Sequence, residues 1–171
     1  GRLEVSRSSG DLALPLPDTQ GSQRVGLDQA RASLVLAGSN LNARLQWDSR
    51  LAGRLDAEFG SELVLPAAGS PGWDWPAAAP LSGRVQAALP RLDLWSRLAP
   101  PGWRIGGSLQ ADARLGGTRF KPEWHGSLRA DDLTLRSLLD GLDFSGGQLR
   151  ATLAGEQIRL DSLQLRGAGG D

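Results

Sequence analysis

Leu41-Asn42-Ala43-Arg44-Leu45-Gln46-Trp47 sets an apolar side chain at every second residue and a polar one between. A repeat of two is the signature of a β-strand with one dry and one wet face, whereas a helix would space its apolar residues three and four apart. After Asp48-Ser49 the alternation resumes with Leu51, Gly53, Leu55, Ala57 and Phe59, opposed by Arg54, Asp56 and Glu58. The short polar break predicts a hairpin turn.

The same pattern recurs along the chain. Upstream, Leu3 with Val5 reads as a short strand, and Leu12, Leu14, Leu16 and Ala30, Ala32, Leu34, Leu36 fit less cleanly. Downstream come Leu81, Gly83, Val85, Ala87, Leu89, and then Ile105, Gly107, Leu109, Ala111, Ala113, Leu115. Trp124, Gly126, Leu128, Ala130 follow, then Leu149, Ala151, Leu153 and finally Ile158, Leu160. The phase slips by one residue at Asp131-Asp132, before Leu133 and Leu135, and at Asp161-Ser162, before Leu163 and Leu165. A bulge at each slip would return those leucines to the inner face.

Turn residues punctuate the runs at Gly38-Ser39-Asn40, Gly60-Ser61, Gly116-Gly117-Thr118, Asp140-Gly141, Ser145-Gly146-Gly147 and Gly155. The pattern predicts roughly ten to twelve short strands in an antiparallel meander. Two segments depart from it. Residues 66–80 hold four prolines around Trp73 and Trp75 and read as an irregular loop. In 90–99, Leu92, Trp95 and Leu98 lie three apart behind Pro90, which predicts one short amphipathic helix stopped by Pro100-Pro101.

The 171 residues make a single β-rich segment, and a chain that opens on Gly and has no Met reads as a fragment of a longer protein. Lys+Arg and Asp+Glu each number 19, so the zero net charge gives no long-range pull toward nucleic acid or anionic membranes. Without cysteine there are no disulfides, thiolate metal sites or thiol nucleophiles. The sole histidine, His125, falls on a polar face with no partner at triad spacing and reads as a solvated residue. Asp131-Asp132 and Asp140 with Asp143 do not match a calcium loop, and the glycine pairs lack the Lys-Ser/Thr of a phosphate loop. These features predict no enzyme, no metal and no cofactor.

Because one face of every strand is polar, helices cannot cover both sides of the sheet. The other face must be covered, since each exposed Leu forgoes about 1.5–3 kcal/mol. A sandwich, a closed barrel or a sheet folded around a groove would each satisfy it. With 31 Leu and 21 Ala against 5 Val, 2 Ile and 3 Phe, that face is a smooth wall alternating large with small. Two readings of the wall stand side by side: a surface for flexible acyl chains, and a genome that writes Leu where others write Val and Ile. Strands of about seven residues reach about 23 Å, and ten or more stacked strands make a ladder near 50 Å.

From Leu89 to Gly170 the residues become more individual. Ile105-Gly106-Gly107-Ser108-Leu109, Leu115-Gly116-Gly117-Thr118 with Pro122, and Trp124-His125-Gly126-Ser127-Leu128 lead into Asp132-Leu133 and Leu142-Asp143-Phe144-Ser145-Gly146-Gly147-Gln148-Leu149. Ile158-Arg159-Leu160-Asp161-Ser162-Leu163 and Gly167-Ala168-Gly169-Gly170 complete the run. This stretch resembles the TamB family. The resemblance implies an elongated, curved, antiparallel-rich sheet, a β-taco whose U-shaped open groove is apolar inside. It also implies a segment of a periplasmic protein anchored in the inner membrane by a helix outside this chain. Such a protein works with a TamA-like outer-membrane partner in outer-membrane protein assembly and phospholipid transport, without catalytic residues.

On this reading the groove is lined by Leu34, Leu36, Leu41, Leu45 and Trp47, then Leu51, Leu55, Phe59 and Leu81. The lining continues with Val85, Leu89, Ile105, Leu109, Leu115 and Leu128, then Leu133, Leu135, Leu149 and Leu153. Ile158, Leu160, Leu163 and Leu165 complete it. The expected partners are phospholipid acyl chains. Two alternatives remain, an interaction module that pairs its edges with client strands and a closed lipid-carrying barrel whose first and last strands meet. Trp73, Trp75 and the short helix are expected to act as covers, the first two over the inner face and the helix along a sheet margin.

Overall fold

A computed structural model describes residues 1–7, 9–15, 22–64, 72–98, 101–137 and 139–167. Pro66, Pro71, Pro100, Leu16 and the run from Ala168 to Gly170, on which some of the expectations above fall, lie outside them. Eleven strands follow in chain order: β1 (Arg2–Ser6), β2 (Ala13–Pro15), β3 (Ser22–Arg24), β4 (Leu27–Ala37), β5 (Asn40–Ser49) and β6 (Gly53–Glu62). Then come β7 (Leu81–Leu89), β8 (Trp103–Gly117), β9 (Pro122–Ser137), β10 (Leu142–Gly155) and β11 (Gln157–Gly167).

Nine of them form one open antiparallel sheet in the order β1-β4-β5-β6-β7-β8-β9-β10-β11, and β2 pairs only with β3. From β4 onward it is an uninterrupted meander, as the alternation predicts. The first and last strands of the sheet each pair on one side only, so the closed barrel is excluded. Nine strands at about 4.8 Å give a ladder of roughly 40 Å, shorter than ten or more would. From β4 onward every strand is longer than seven residues, reaching 16 in β9.

Both phase slips are bulges. Between β8 and β9 the register runs from Gly106 opposite Thr134 to Ser108 opposite Asp131, so the Asp131-Asp132 region carries an extra residue. Asp132 takes a positive φ of 52° and Gly107, across from it, one of 102°. Between β10 and β11, Arg150 faces Ser162 and Ala151 faces Leu160, leaving Asp161 unpaired. The effect is the one the leucine spacing requires, with Leu133, Leu135, Leu163 and Leu165 back on the apolar side.

Several local features differ from expectation. The β5–β6 turn is Arg50 to Ala52, one step later than Asp48-Ser49, because Asp48 pairs with Arg54 and Ser49 with Gly53. Gly60-Ser61 lies inside β6, and Ser145-Gly146-Gly147 is an irregularity within β10 rather than a turn. The helix is a 3₁₀ helix, Leu92–Leu98. It packs at the ends of β5, β6 and β8, not along a margin of the sheet, with Trp95 Nε1 donating to Ala52 O at 3.1 Å and Ser96 Oγ donating to Ile105 O at 2.7 Å.

The compact core is small and sits at that same end. Val25, Leu27, Ala52 and Leu94 are buried together, with Ala30, Trp47, Leu51 and Trp95 packed around them. Ser49 Oγ donates to Val25 O at 2.6 Å and accepts from Ala52 N at 3.0 Å, which ties the β5–β6 turn to the start of β4. At the opposite end, the segment before β7 bonds the β8–β9 turn, Arg119 N to Ala79 O and Phe120 N to Ala77 O, each 2.9 Å.

Candidate functional site: an apolar trough

Residues directly opposite each other in neighbouring strands share a face. Following the pairings, Val5, Ala32, Leu45, Ala57, Val85 and Ala113 form one transverse row, which Gly126, Leu153 and Ile158 carry on to β11. A parallel row runs Leu3, Leu34, Ala43, Phe59, Gly83, Leu115 and on to Trp124. A third joins Trp47, Leu55, Ala87, Ala111, Leu128 and Ala151 to Leu160. Large alternates with small across the ladder as well as along it. Phe59 faces Gly83, where an added Cβ would lie 2.7 Å from Glu58 O and 3.4 Å from Leu115 Cβ.

The remaining sequence-predicted residues join the same face. Leu36 faces Leu41, which faces Ser61, which faces Leu81. Leu89 faces Leu109, and Ala130 beyond it faces Leu149, itself opposite Leu163. Past the bulge, Ile105 faces Leu135, Leu133 faces Gly147, and Leu165 crowds Gly147 from the other side. Leu51 is the exception: it belongs to the β5–β6 turn and packs on the buried cluster, not on the sheet. Its parity with Leu55 persists by coincidence through a three-residue turn.

Among the described residues no second layer packs on the middle of this face. The buried members are mostly small, Ala113, Ala130 and Ala151, shielded by their own neighbours. The large ones are half-buried across β6 to β9 and open toward the edges, Leu34 at 42% and Leu45 at 38%, with Leu3 and Ile158 at 62% and 72%. A sandwich core would have buried them. Instead a cavity of about 400 Å³ lies against this face. Leu34, Leu45, Phe59 and Val85 line it, with Leu3 and Val5 on one side and Leu115 and Trp124 on the other. Leu3, Val5 and Trp124 extend the lining predicted from sequence, and the same alternation marks them.

The two long sides are partly roofed. On one, Trp95 from the 3₁₀ helix meets Trp47 edge-on, and the buried cluster fills the corner. Trp47 Nε1 is buried there with no hydrogen-bond partner among the described residues. On the other side, Trp75 stands edge-on to Phe59 with centroids 6.3 Å apart, and its Nε1 donates to Ser61 Oγ at 2.8 Å. Arg119 lies 5.5 Å over the Trp75 ring. Trp75 therefore packs over the inner face as expected, whereas Trp73 is half exposed.

The opposite face is wet and ion-paired. Arg44 bonds Glu58 at 2.6 Å, Arg54 bonds Asp48 at 2.6 Å and Arg84 bonds Asp112 at 3.1 Å. The Gln86 amide and the Arg84 guanidinium hold the Asp112 carboxyl below the usual carboxylate range, and Arg129 does the same for Asp131. Asp143 pairs with Arg136, and Asp140 accepts from Ser137 Oγ, so these acids serve turns and bulges. His125 is exposed on this face opposite Arg114. Among the described residues no three His, Asp or Glu side chains gather as metal ligands, and no helix is long and apolar enough to cross a membrane.

Comparison with protein-family models, curated proteins and solved structures finds no match to this chain. The function is therefore argued from the trough itself.

Proposed function

We propose that this chain is a trough segment that shelters lipid acyl chains from water and performs no chemistry on them. One observation carries the reading: a single apolar face runs without a charged residue across nine strands, borders a cavity of about 400 Å³, and among the described residues carries no second layer. That volume lies within the roughly 300–1,000 Å³ of ordinary ligand pockets. An apolar exposure of this continuity marks a binding surface.

The driving force is transfer of methylenes out of water, about 0.8 kcal/mol each. Repeated Leu, Val and Ala offer nearly equal contact from place to place, so a chain held there can slide. In this proposal the segment belongs to a longer TamB-like periplasmic protein, anchored in the inner membrane and acting with a TamA-like outer-membrane partner. The likeness of residues 89–170 to that family supports the placement, and phospholipid is the cargo it suggests.

Photo-crosslinking in cells tests the reading. A photoreactive residue at position 45, 85 or 115 is expected to capture lipid, and one at 46, 86 or 110 is not. Equal capture from both faces, or none from the first three, would overturn it.

A second reading rests on the margins. β11 presents an outer edge of eleven residues with no strand beside it among the described residues, which is the geometry for adding a client strand. Binding of extended peptides by a lipid-free chain, lost when proline replaces Arg159 or Gln164, would favour that reading.

A further inference from the structure

The trough does not end uniformly along its sides. Where the β8–β9 and β10–β11 turns come together, a second cavity of about 480 Å³ opens beside it. Trp124 lines both cavities, so one indole stands between the trough and this mouth. The floor of the second is Trp124, Leu153 and Ile158, all on the apolar face, and its rim carries Phe120, Lys121 and Glu156.

The two rim charges are opposite and unspent. Among the described residues neither the Lys121 ammonium nor the Glu156 carboxylate makes an ion pair or hydrogen bond. Arg119, two residues before Lys121, is held over Trp75 and donates to Pro76 O. Both rim positions are fixed by their turns. Thr118 N donates to Lys121 O at 3.0 Å and Lys121 N donates to Thr118 Oγ1 at 3.1 Å. Glu156 sits in the tight β10–β11 turn after Gly155, whose φ is 69°. Phe120, 75% exposed, adds an apolar surface at the same mouth.

A cation and an anion flanking one opening, above an apolar floor, complement a headgroup that carries phosphate and ammonium together. Building on the acyl-chain reading of the trough, we propose that this mouth seats the zwitterionic headgroup of an aminophospholipid, its phosphate at Lys121 and its primary ammonium at Glu156. The chains then leave over Trp124 into the main trough. Exposed ion pairs of this kind bias a choice of ligand more than they set affinity.

The test measures the ratio of affinities for short-chain phosphatidylethanolamine, phosphatidylcholine and phosphatidylglycerol by native mass spectrometry, below their micelle concentrations. Decanol serves as a probe of the trough alone, and glycerophosphoethanolamine as a headgroup without chains. The unaltered chain is expected to favour phosphatidylethanolamine over phosphatidylcholine by about three- to fivefold, the span of one exposed ion pair. Lys121→Glu should erase that preference, and Glu156→Lys should shift it to phosphatidylglycerol. The double exchange, Lys121→Glu with Glu156→Lys, should restore it.

Because each figure is a ratio within one protein, a variant that folds poorly does not imitate the result. Identical ratios in all four proteins, with decanol still bound, would overturn the headgroup site and leave the trough standing. Glycerophosphoethanolamine binding as tightly as the lipid would overturn the lipid as occupant. An unaltered chain that binds neither decanol nor lipid would overturn the trough and this site with it.

Discussion

Trp47 and Trp95 meet edge-on, 5.7 Å between ring centroids at 66°, and through them the 3₁₀ helix is fastened to the inner face of the sheet. Trp95 also donates its indole N–H to Ala52 O, the carbonyl of a fully buried turn residue. Replacing Trp95 with Ala removes both links and should cost about 3 kcal/mol in urea unfolding. Trp95→Phe keeps the ring contact and should cost about 1 kcal/mol. Equal losses for the two would show that ring packing contributes nothing.

The two faces of β8 should tolerate a charge very differently. Leu109 lies on the apolar side between Leu89 and Ala130, whereas Gln110 lies between Ala88 and Arg129 on the wet side. Leu109→Asp is expected to destabilise by about 2 kcal/mol or more and to weaken lipid capture. Gln110→Asp should stay within about 0.5 kcal/mol. Comparable unfolding midpoints would contradict the assignment of faces.

Gly107 holds the β8–β9 bulge. Its φ is 102°, and an added Cβ would lie 2.7 Å from both Asp131 O and Asp132 O. Gly107→Ala should therefore destabilise by about 2 kcal/mol, read by thermal or urea unfolding. Deleting Asp132 should do more, since a one-residue slip would turn Leu133 and Leu135 to the wet face.

Acid should weaken the fold at one identifiable joint. The Leu27 amide, joined by those of Gly26 and Leu12 and by the Arg7 charge, holds the Asp11 carboxyl below its usual 3.8, although partial desolvation opposes this. A carboxylate depressed in the folded state contributes stability above its unfolded value, and that contribution is lost as pH falls through the folded one. Stability should be level from neutral pH to about pH 5 and decline below about pH 4. Asp112, Asp131 and Asp161 act in the same direction. Asp11→Asn should lower stability at pH 7 and show a shallower acid decline; an unchanged acid profile would dismiss the joint.

Period two made the strands of the meander readable because each is wet on one side, and the slips in period located both bulges without any knowledge of pairing. What covers the dry side was not readable, since Leu34 or Leu45 would be written identically for a sandwich, a barrel or an open trough. Leu92, Trp95 and Leu98 are spaced three apart, which a 3₁₀ helix satisfies at least as well as an α-helix, so spacing alone could not separate them. Leu51 was misplaced because a three-residue turn left its parity in step with Leu55. The pairing of β1 with β4 across an inserted hairpin, and the seating of Trp75 on Phe59, are long-range contacts with no local signal. Lys121 and Glu156 meet at one mouth only because two turns, far apart in sequence, fall side by side.

The meander from β4 to β11 advances by one strand at a time, each beside the one before it in sequence. Each further hairpin would lengthen such a structure by roughly 10 Å. Reach is then counted in hairpins, as on a ruler, and evolution could match this architecture to a gap of any width by duplicating or deleting them.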